Sequence, residues 1–400
     1  MKKQLIISLI LVTLLVLATS VIIFYGKGYR INFNGGTTAI AGTGLLVVTS
    51  SPDGAQVFIN GQLTTATDNT INLTPGDYEV KIFKDGYFPW QKKITIKKEV
   101  VSKADALLLP TAPKLESITN IGVSSPVLDP TGTKIAYFVA SQSAVRNGIY
   151  VLDMSLRPIL TLQSSSTQIA QDSSVIFSQS VLNWSPDSKQ ILASFLIPFP
   201  SDYLLSAGSL NANPSNVTAN LITLNANWET LRQEKQKALM DSLRKPLKSL
   251  VSDNFNILEW SDDETRILYT ASKSANLPLV IKPQLIGTNS TPEQRGIKKD
   301  AVYVYDIKED RNYKILDSLE KPKNNSPLPI MWYPDSKHLV YVHDGKIDLM
   351  EYDAQNQTTI YAGPFVNGYV FPWPDATKLV ILTNLGNPLI TPNLYTISLK

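Results

Sequence analysis

The chain has 400 residues, and its 37 basic against 34 acidic side chains leave a net charge of +3, too small to mark a nucleic-acid partner. The absence of cysteine excludes disulfides, cysteine-ligated zinc, thiol catalysis and a lipid-modified N-terminal cysteine. With 43% hydrophobic residues there is enough apolar material for cores in two or three domains.

Met1-Lys2-Lys3-Gln4 leads into an unbroken apolar run from Leu5 to Tyr25, whose polar members Ser8, Thr13, Thr19 and Ser20 can bond back to helix carbonyls. At about 1.5 Å per residue the run reaches roughly 31 Å, the thickness of a bilayer core. Ala18-Thr19-Ser20 offers small residues for signal cleavage, yet the apolar run continues past them to Tyr25, which favours an uncleaved transmembrane anchor over residues 1–26. Lys2 and Lys3 place the N-terminus inside and the bulk of the chain outside the cytoplasm, although Lys27 and Arg30 on the far flank nearly balance them. Residues 27–43, rich in Gly, Asn and Thr, read as a stalk.

From 44 to 109 the pattern is that of short strands and tight turns. Leu45 to Thr49 and Gln56 to Ile59 flank the turn Ser51-Pro52-Asp53-Gly54-Ala55, and Asn60-Gly61 closes a type I′ hairpin. Further turns fall at Pro75-Gly76 and at Gly86-Tyr87, bounding strands over Tyr78 to Phe83 and Trp90 to Ile96. The segment reads as a small all-β sandwich, with Tyr87, Phe88 and Trp90 packed in its core or exposed as an adhesive patch. These spaced turns resemble the PEGA domain, with Asp53 where that family's name-giving motif has Glu. The resemblance implies an envelope location and a spacer or adhesive role, with no catalytic residue.

Pro110-Thr111-Ala112-Pro113 is an extended linker, because each proline biases its predecessor away from helix. Beyond it, over 114–400, one unit recurs five times: an apolar or aromatic residue, a Pro/Asp/Ser turn, a Lys or Arg and a short apolar strand. The clearest copies are Trp184-Ser185-Pro186-Asp187-Ser188-Lys189 and Trp332-Tyr333-Pro334-Asp335-Ser336-Lys337. Looser ones carry Pro130, Trp260 with Asp262 in the proline position, and Pro374-Asp375. Proline presets the second position of a type I turn and Asp accepts its free amides, so each copy turns one strand into the next. The repeats resemble the TolB-type (PD40, WD40-like) β-propeller repeat. That resemblance implies five blades, or six or seven if the long intervals of 76 and 72 residues between turns hide an irregular blade. Asn393 to Lys400 lacks a following strand, which Lys114 to Ile118 can supply, closing the ring.

The first long interval predicts a helix over 226–252, capped by Asn227 and kinked or ended at Pro246. Trp228, Leu231, Leu239, Leu243, Leu247 and Leu250 recur along one face, suited to packing on the propeller rim or to docking a partner. The second, Ser272 to Lys299, predicts a hairpin or loop over a propeller face.

The residues offer little chemistry. His338 and His343 lie five apart on one strand and its turn, on opposite faces, and no nucleophile elbow, phosphate loop or zinc-protease motif occurs. No catalytic, cofactor-binding or metal residue is expected. The expectation is a non-enzymatic, membrane-anchored cell-envelope protein presenting a propeller to a protein or glycan partner, with no nucleic acid. The alternatives are a glycan-active enzyme with a carboxylate pair in the propeller funnel and a purely structural or adhesive surface protein.

Overall fold

A computed structural model describes residues 2–26, 29–34, 37–155, 166–196, 199–319 and 327–400. The chain divides into two compact units, Met1–Thr111 with Ile281–Pro292, and Ala112–Val280 with Glu293–Lys400.

The N-terminal unit opens with helix α1, Lys2–Gly26. Its Ile6–Phe24 stretch is long and apolar enough to cross a membrane, and none of its apolar window is buried. The hydroxyls of Thr13 and Thr19 donate to the carbonyls of Leu9 and Leu15 at 2.8 and 2.7 Å, so neither presents an unsatisfied polar group on the apolar surface. The segment expected as an irregular stalk instead contains an antiparallel hairpin, Tyr29–Asn34 on Thr37–Gly42. Apolar Tyr29, Ile31 and Phe33 alternate there with Arg30, Asn32 and Asn34, the period of a strand.

The domain that follows stacks a three-stranded sheet against a four-stranded one. Gly44–Ser51 lies between Asn69–Leu73 and, in parallel, Val101–Leu107, while Gln56–Ile59 and Gly76–Phe83 form the middle of the larger sheet. Alternate residues of both sheets, including Leu46, Val48, Val57, Val80, Ile82 and Trp90, fill the core between them. Residues 281–292, which the sequence assigns to the propeller, belong to this unit. Ser290 Oγ accepts the Thr95 N–H at 2.9 Å on the edge strand Trp90–Ile96. Gly287, at φ +83°, lies where a Cβ would come within 2.7 Å of Val100. A distant piece of chain thus satisfies a donor on an otherwise open edge, a contact with no periodic signature to announce it.

The second unit contains, among the described residues, five four-stranded antiparallel sheets of the kind that make propeller blades. Sheet I is Ser124–Leu128, Lys134–Val139, Gly148–Asp153 and Ser166–Gln171; sheet II is Val181–Trp184, Gln190–Phe195, Ser201–Ser206 and Ser215–Asn216. Sheet III is Phe255–Trp260, Arg266–Ala271, Val302–Asp306 and Arg311–Leu316; sheet IV is Ile330–Trp332, His338–His343, Lys346–Glu351 and Thr358–Tyr361. Sheet V joins Val370–Pro372, Lys378–Thr383 and Asn393–Ser398 to Leu115–Ser117, in register Leu115↔Ile397. Apolar clusters bridge sheet I to sheet II, sheet III to sheet IV and sheet V to sheet I.

The helical insertion starts earlier than its periodicity suggests and is broken. Helix α2 runs Leu221–Ser242 and α3 Lys245–Asn254, with Pro246 in the first turn of α3, where a missing N–H costs nothing. Leu247, Leu250 and Val251 of α3 pack on Phe255, Ile267 and Tyr269 of sheet III. In α2 Trp228 alone is buried, and Ile222 and Leu231 stand exposed.

Candidate functional site

The five repeated turns share one backbone geometry. In each, the residue after the turn's third position donates its N–H to the first position's carbonyl: Gly132 to Asp129, Ser188 to Ser185, Glu264 to Ser261, Ser336 to Tyr333 and Ala376 to Trp373. All five donors have positive φ, between +53° and +67°, as in a type I turn closed by a left-handed residue. Pro130, Pro186, Pro334 and Pro374 hold the second position, and Asp262 stands there in sheet III. Asp187, Asp335 and Asp375 hold the third position and accept from the backbone of Lys189, Lys337 and Thr377. In sheet III that work falls to Asp263, which accepts from Thr265. The substitution of Asp262 for proline hides this by placing two acids side by side.

Trp184 and Trp332, buried, donate their indole N–H groups to the carbonyls of Val127 and Glu259 on the inner strand of the neighbouring sheet, at 3.0 and 3.4 Å. Trp260 is half-buried in the sheet III core. Basic side chains tie adjacent turns: Lys134 Nζ donates to Ser188 O and Arg266 to Ser336 O. Arg266 also pairs with buried Asp306 at 2.9 Å and lies 4.0 Å from the centre of the Tyr352 ring. Cross-sheet contacts of this kind are what a repeat unable to bury its own faces requires.

The inner strands of sheets I, III, IV and V enclose a cavity of about 600 Å³. When the five repeats are aligned on their turns, Val127, Asn183, Glu259, Met331 and Phe371 occupy one register position, and four of them line this cavity. Pro126, Pro130, Pro327, Pro334, Pro372 and Pro374 supply much of the wall, and no Lys, Arg or His lies among the described lining residues.

Three acidic residues line this space: the Asp129 carboxylate is taken up by the backbone N–H groups of Thr133 and Lys134, while Glu259 and Asp262 meet no basic side chain among the described lining residues. Glu259 Oε2 accepts the Trp332 N–H at 2.9 Å. Crowding by surrounding protein, with a smaller contribution from Asp262, pushes its pKa up to about 7, while the side chain remains open to water. Asp262 is raised as well, by burial and by the negative charges of Asp263 and Asp335. Sequence reasoning missed Glu259, which sits unremarkably between Leu258 and Trp260; the register alignment was the signal available.

The other residues singled out in the sequence are structural. Asp335 is held below the ordinary carboxylate range: burial would raise it, but the hydrogen bond and charge of His338 and the backbone N–H groups of Lys337 and His338 together outweigh that; Asp335 and His338 lie 2.6 Å apart. His343 bonds to Asp348 at 2.9 Å, and no cluster suited to a metal occurs among the described residues. In the N-terminal domain, Asn60 and Gly61 both take positive φ, as a type I′ turn demands, and Asn60 Oδ1 accepts the Glu79 N–H. Gly54 and Gly86 take positive φ at their turns, and the turn at Pro52 and Asp53 is held by Lys84 donating to Asp53 O. Pro75 and Gly76 lead into the strand Gly76–Phe83. Ala55 and Trp90 are buried in the core, and half-buried Tyr87 packs against it.

Residues 43–111 match the PEGA domain model. No curated protein sequence matches the chain. Among solved structures, putative TolB from Agrobacterium tumefaciens aligns at 14% identity and TM-score 0.21 over 70% of this chain and 74% of its own. TolB from Acinetobacter baumannii aligns at 16% and 0.18, over 80% and 60%. The β-propeller domain of Cps50 (Swd1) from Myceliophteria thermophila aligns at 9% and 0.28, over 72% and 100%. Scores this low carry no argument about function, and the reading of the sheets as blades rests on strand order and register. The chain thus carries a PEGA-domain match at residues 43–111, preceded by an apolar helix and followed by four-stranded antiparallel sheets of the kind that make propeller blades.

Proposed function

We propose that this is a single-pass, extracytoplasmic, non-enzymatic binding protein, in which α1 is the anchor, the PEGA domain a membrane-proximal spacer, and a five-bladed propeller the platform for a protein or glycan partner. The observation that carries this reading is the cavity where four inner strands converge, since concave sites with few convergent polar groups are where ligands bind. An apolar helix long enough to cross a membrane, with its apolar window exposed, supports the anchor.

A glycan-active enzyme would need two carboxylates with divergent protonation, one acid and one base. Glu259 and Asp262 instead come from one strand and its turn and are both shifted upward, which supports binding over catalysis.

The test is fractionation of cells expressing the full chain, protease treatment of intact cells, and crosslinked capture from the envelope. Membrane retention at full length, accessibility of the propeller from outside and a partner crosslinked to residues around the cavity are the expected results. A protected propeller, a shortened soluble form or crosslinks that avoid the cavity would refute the corresponding part.

A further inference from the structure

Resting on that reading, we infer that the cavity binds an organic cation, a primary ammonium or guanidinium on an aliphatic chain, received by Glu259 and Asp262. The lining is one-sided in charge and in hydrogen bonding. Of the three acidic residues that line it, Asp129 is engaged by its own turn, and Glu259 and Asp262 face it with no basic side chain among the described lining residues. Prolines in the wall contribute carbonyl acceptors and no N–H. The side-chain donors are few: the hydroxyls of Ser125, Thr131 and Tyr369 and the Trp332 indole. Of these, Thr131 donates to Asp129 and the indole to Glu259 O.

An anionic ligand would meet uncompensated negative charge here, and a neutral polyol would bring no charge to offset it. A cation brings both the donors and the charge that the walls lack, and a charge-assisted hydrogen bond is the stronger kind. Leu128, Leu258, Met331 and the proline rings offer apolar surface for the aliphatic stem.

The same chemistry can arrive as a free diamine or as a basic side chain of a polypeptide, and titration calorimetry on the full-length protein in detergent micelles separates them. The probes are 1,4-diaminobutane and an acetylated hexapeptide carrying two lysines. The neutral controls are 1,4-butanediol and the peptide with norleucine in place of lysine. Saturable binding of at least one cation, absent for its neutral control, is expected at pH 8. Glu259→Gln combined with Asp262→Asn should weaken it at least about tenfold, with a melting temperature no lower than that of the parent. Binding confined to the diamine, or to the peptide, identifies the source.

No binding of either cation, equal binding of the neutral control, or unchanged affinity in the folded double variant overturns the inference. If an envelope partner is captured equally by the parent and the double variant, the binding-platform reading stands and the cation fails. If the cations bind as expected and no partner is captured, the cation inference holds and the platform reading fails.

Discussion

Glu259 shows how one side chain carries both a functional signal and a stability signature. A carboxyl whose folded pKa is raised to about 7 from an ordinary 4.5 is held more favourably in its neutral form by the folded state. That contribution is complete below pH 4.5 and disappears as the pH rises through 7. The charged groups bearing on it are Asp262, with Asp263 and Asp335 behind that residue, all of one sign. Glu259→Gln should therefore leave stability unchanged at pH 5 and raise it at pH 8, by on the order of 1 kcal/mol once water access is discounted. Thermal melts at the two pH values check this. Arg266 is the opposite case: Arg266→Ala would strand Asp306, which is 1% exposed, at a cost of about 3–5 kcal/mol in chemical denaturation. His343, raised by its hydrogen bonds with Asp348 and Asp344 against the effect of burial, has a folded pKa above 6.5. Its contribution is present below that value and lost as the pH rises past the folded pKa. Asp348 is lowered by the same contact, so its share is lost only in acid. His343→Asn should thus cost most between pH 4 and 6.5, measured by denaturation across pH.

Among the elements, the repeated turn was the most legible feature, because proline and aspartate act on their own neighbours and leave a local trace in sequence. The left-handed position was less so: Gly132 fills it in sheet I, but Ser188, Glu264, Ser336 and Ala376 do elsewhere at positive φ. A left-handed residue with a Cβ costs roughly 1–2 kcal/mol, and glycine gives back about 0.5–1 kcal/mol in chain entropy. Ala376→Gly should accordingly stabilise by about 0.5–1 kcal/mol, read from the denaturation midpoint. The strands followed from alternation. The break between α2 and α3 was visible only as Pro246, and the hairpin at Tyr29–Asn34 was masked by Gly and Asn that read as irregular chain. The cavity was not legible, because it depends on which inner-strand register position faces inward, a property of the assembled sheets rather than of any one of them.

For the molecule as a whole, the discontinuity of the N-terminal unit carries the sharpest expectation. Ser290 satisfies the amide of Thr95 from 195 residues away, so the PEGA domain of this chain is completed by residues outside 43–111. Ser290→Ala should speed hydrogen exchange at the Thr95 amide while leaving Val80 and Ile82, within the central strand Gly76–Phe83, protected. Exchange measured on the full chain by mass spectrometry or NMR tests it, and an unchanged Thr95 rate would show that this contact is dispensable.

Sheet V also sets an order of events during synthesis. Leu115–Ser117 emerges from the ribosome among the first residues after the linker, yet its hydrogen-bonding partner, Asn393–Ser398, is made only after the strands of the four intervening sheets. Chains released early by a premature stop anywhere in that later strand leave the early strand with an open edge and no mate, whatever the state of the four intervening sheets. Synthesis of Asn393–Ser398 is therefore inspected at Leu115–Ser117: only a product that contains the later strand can bury that edge, and one that stops short of it exposes the edge to proteases.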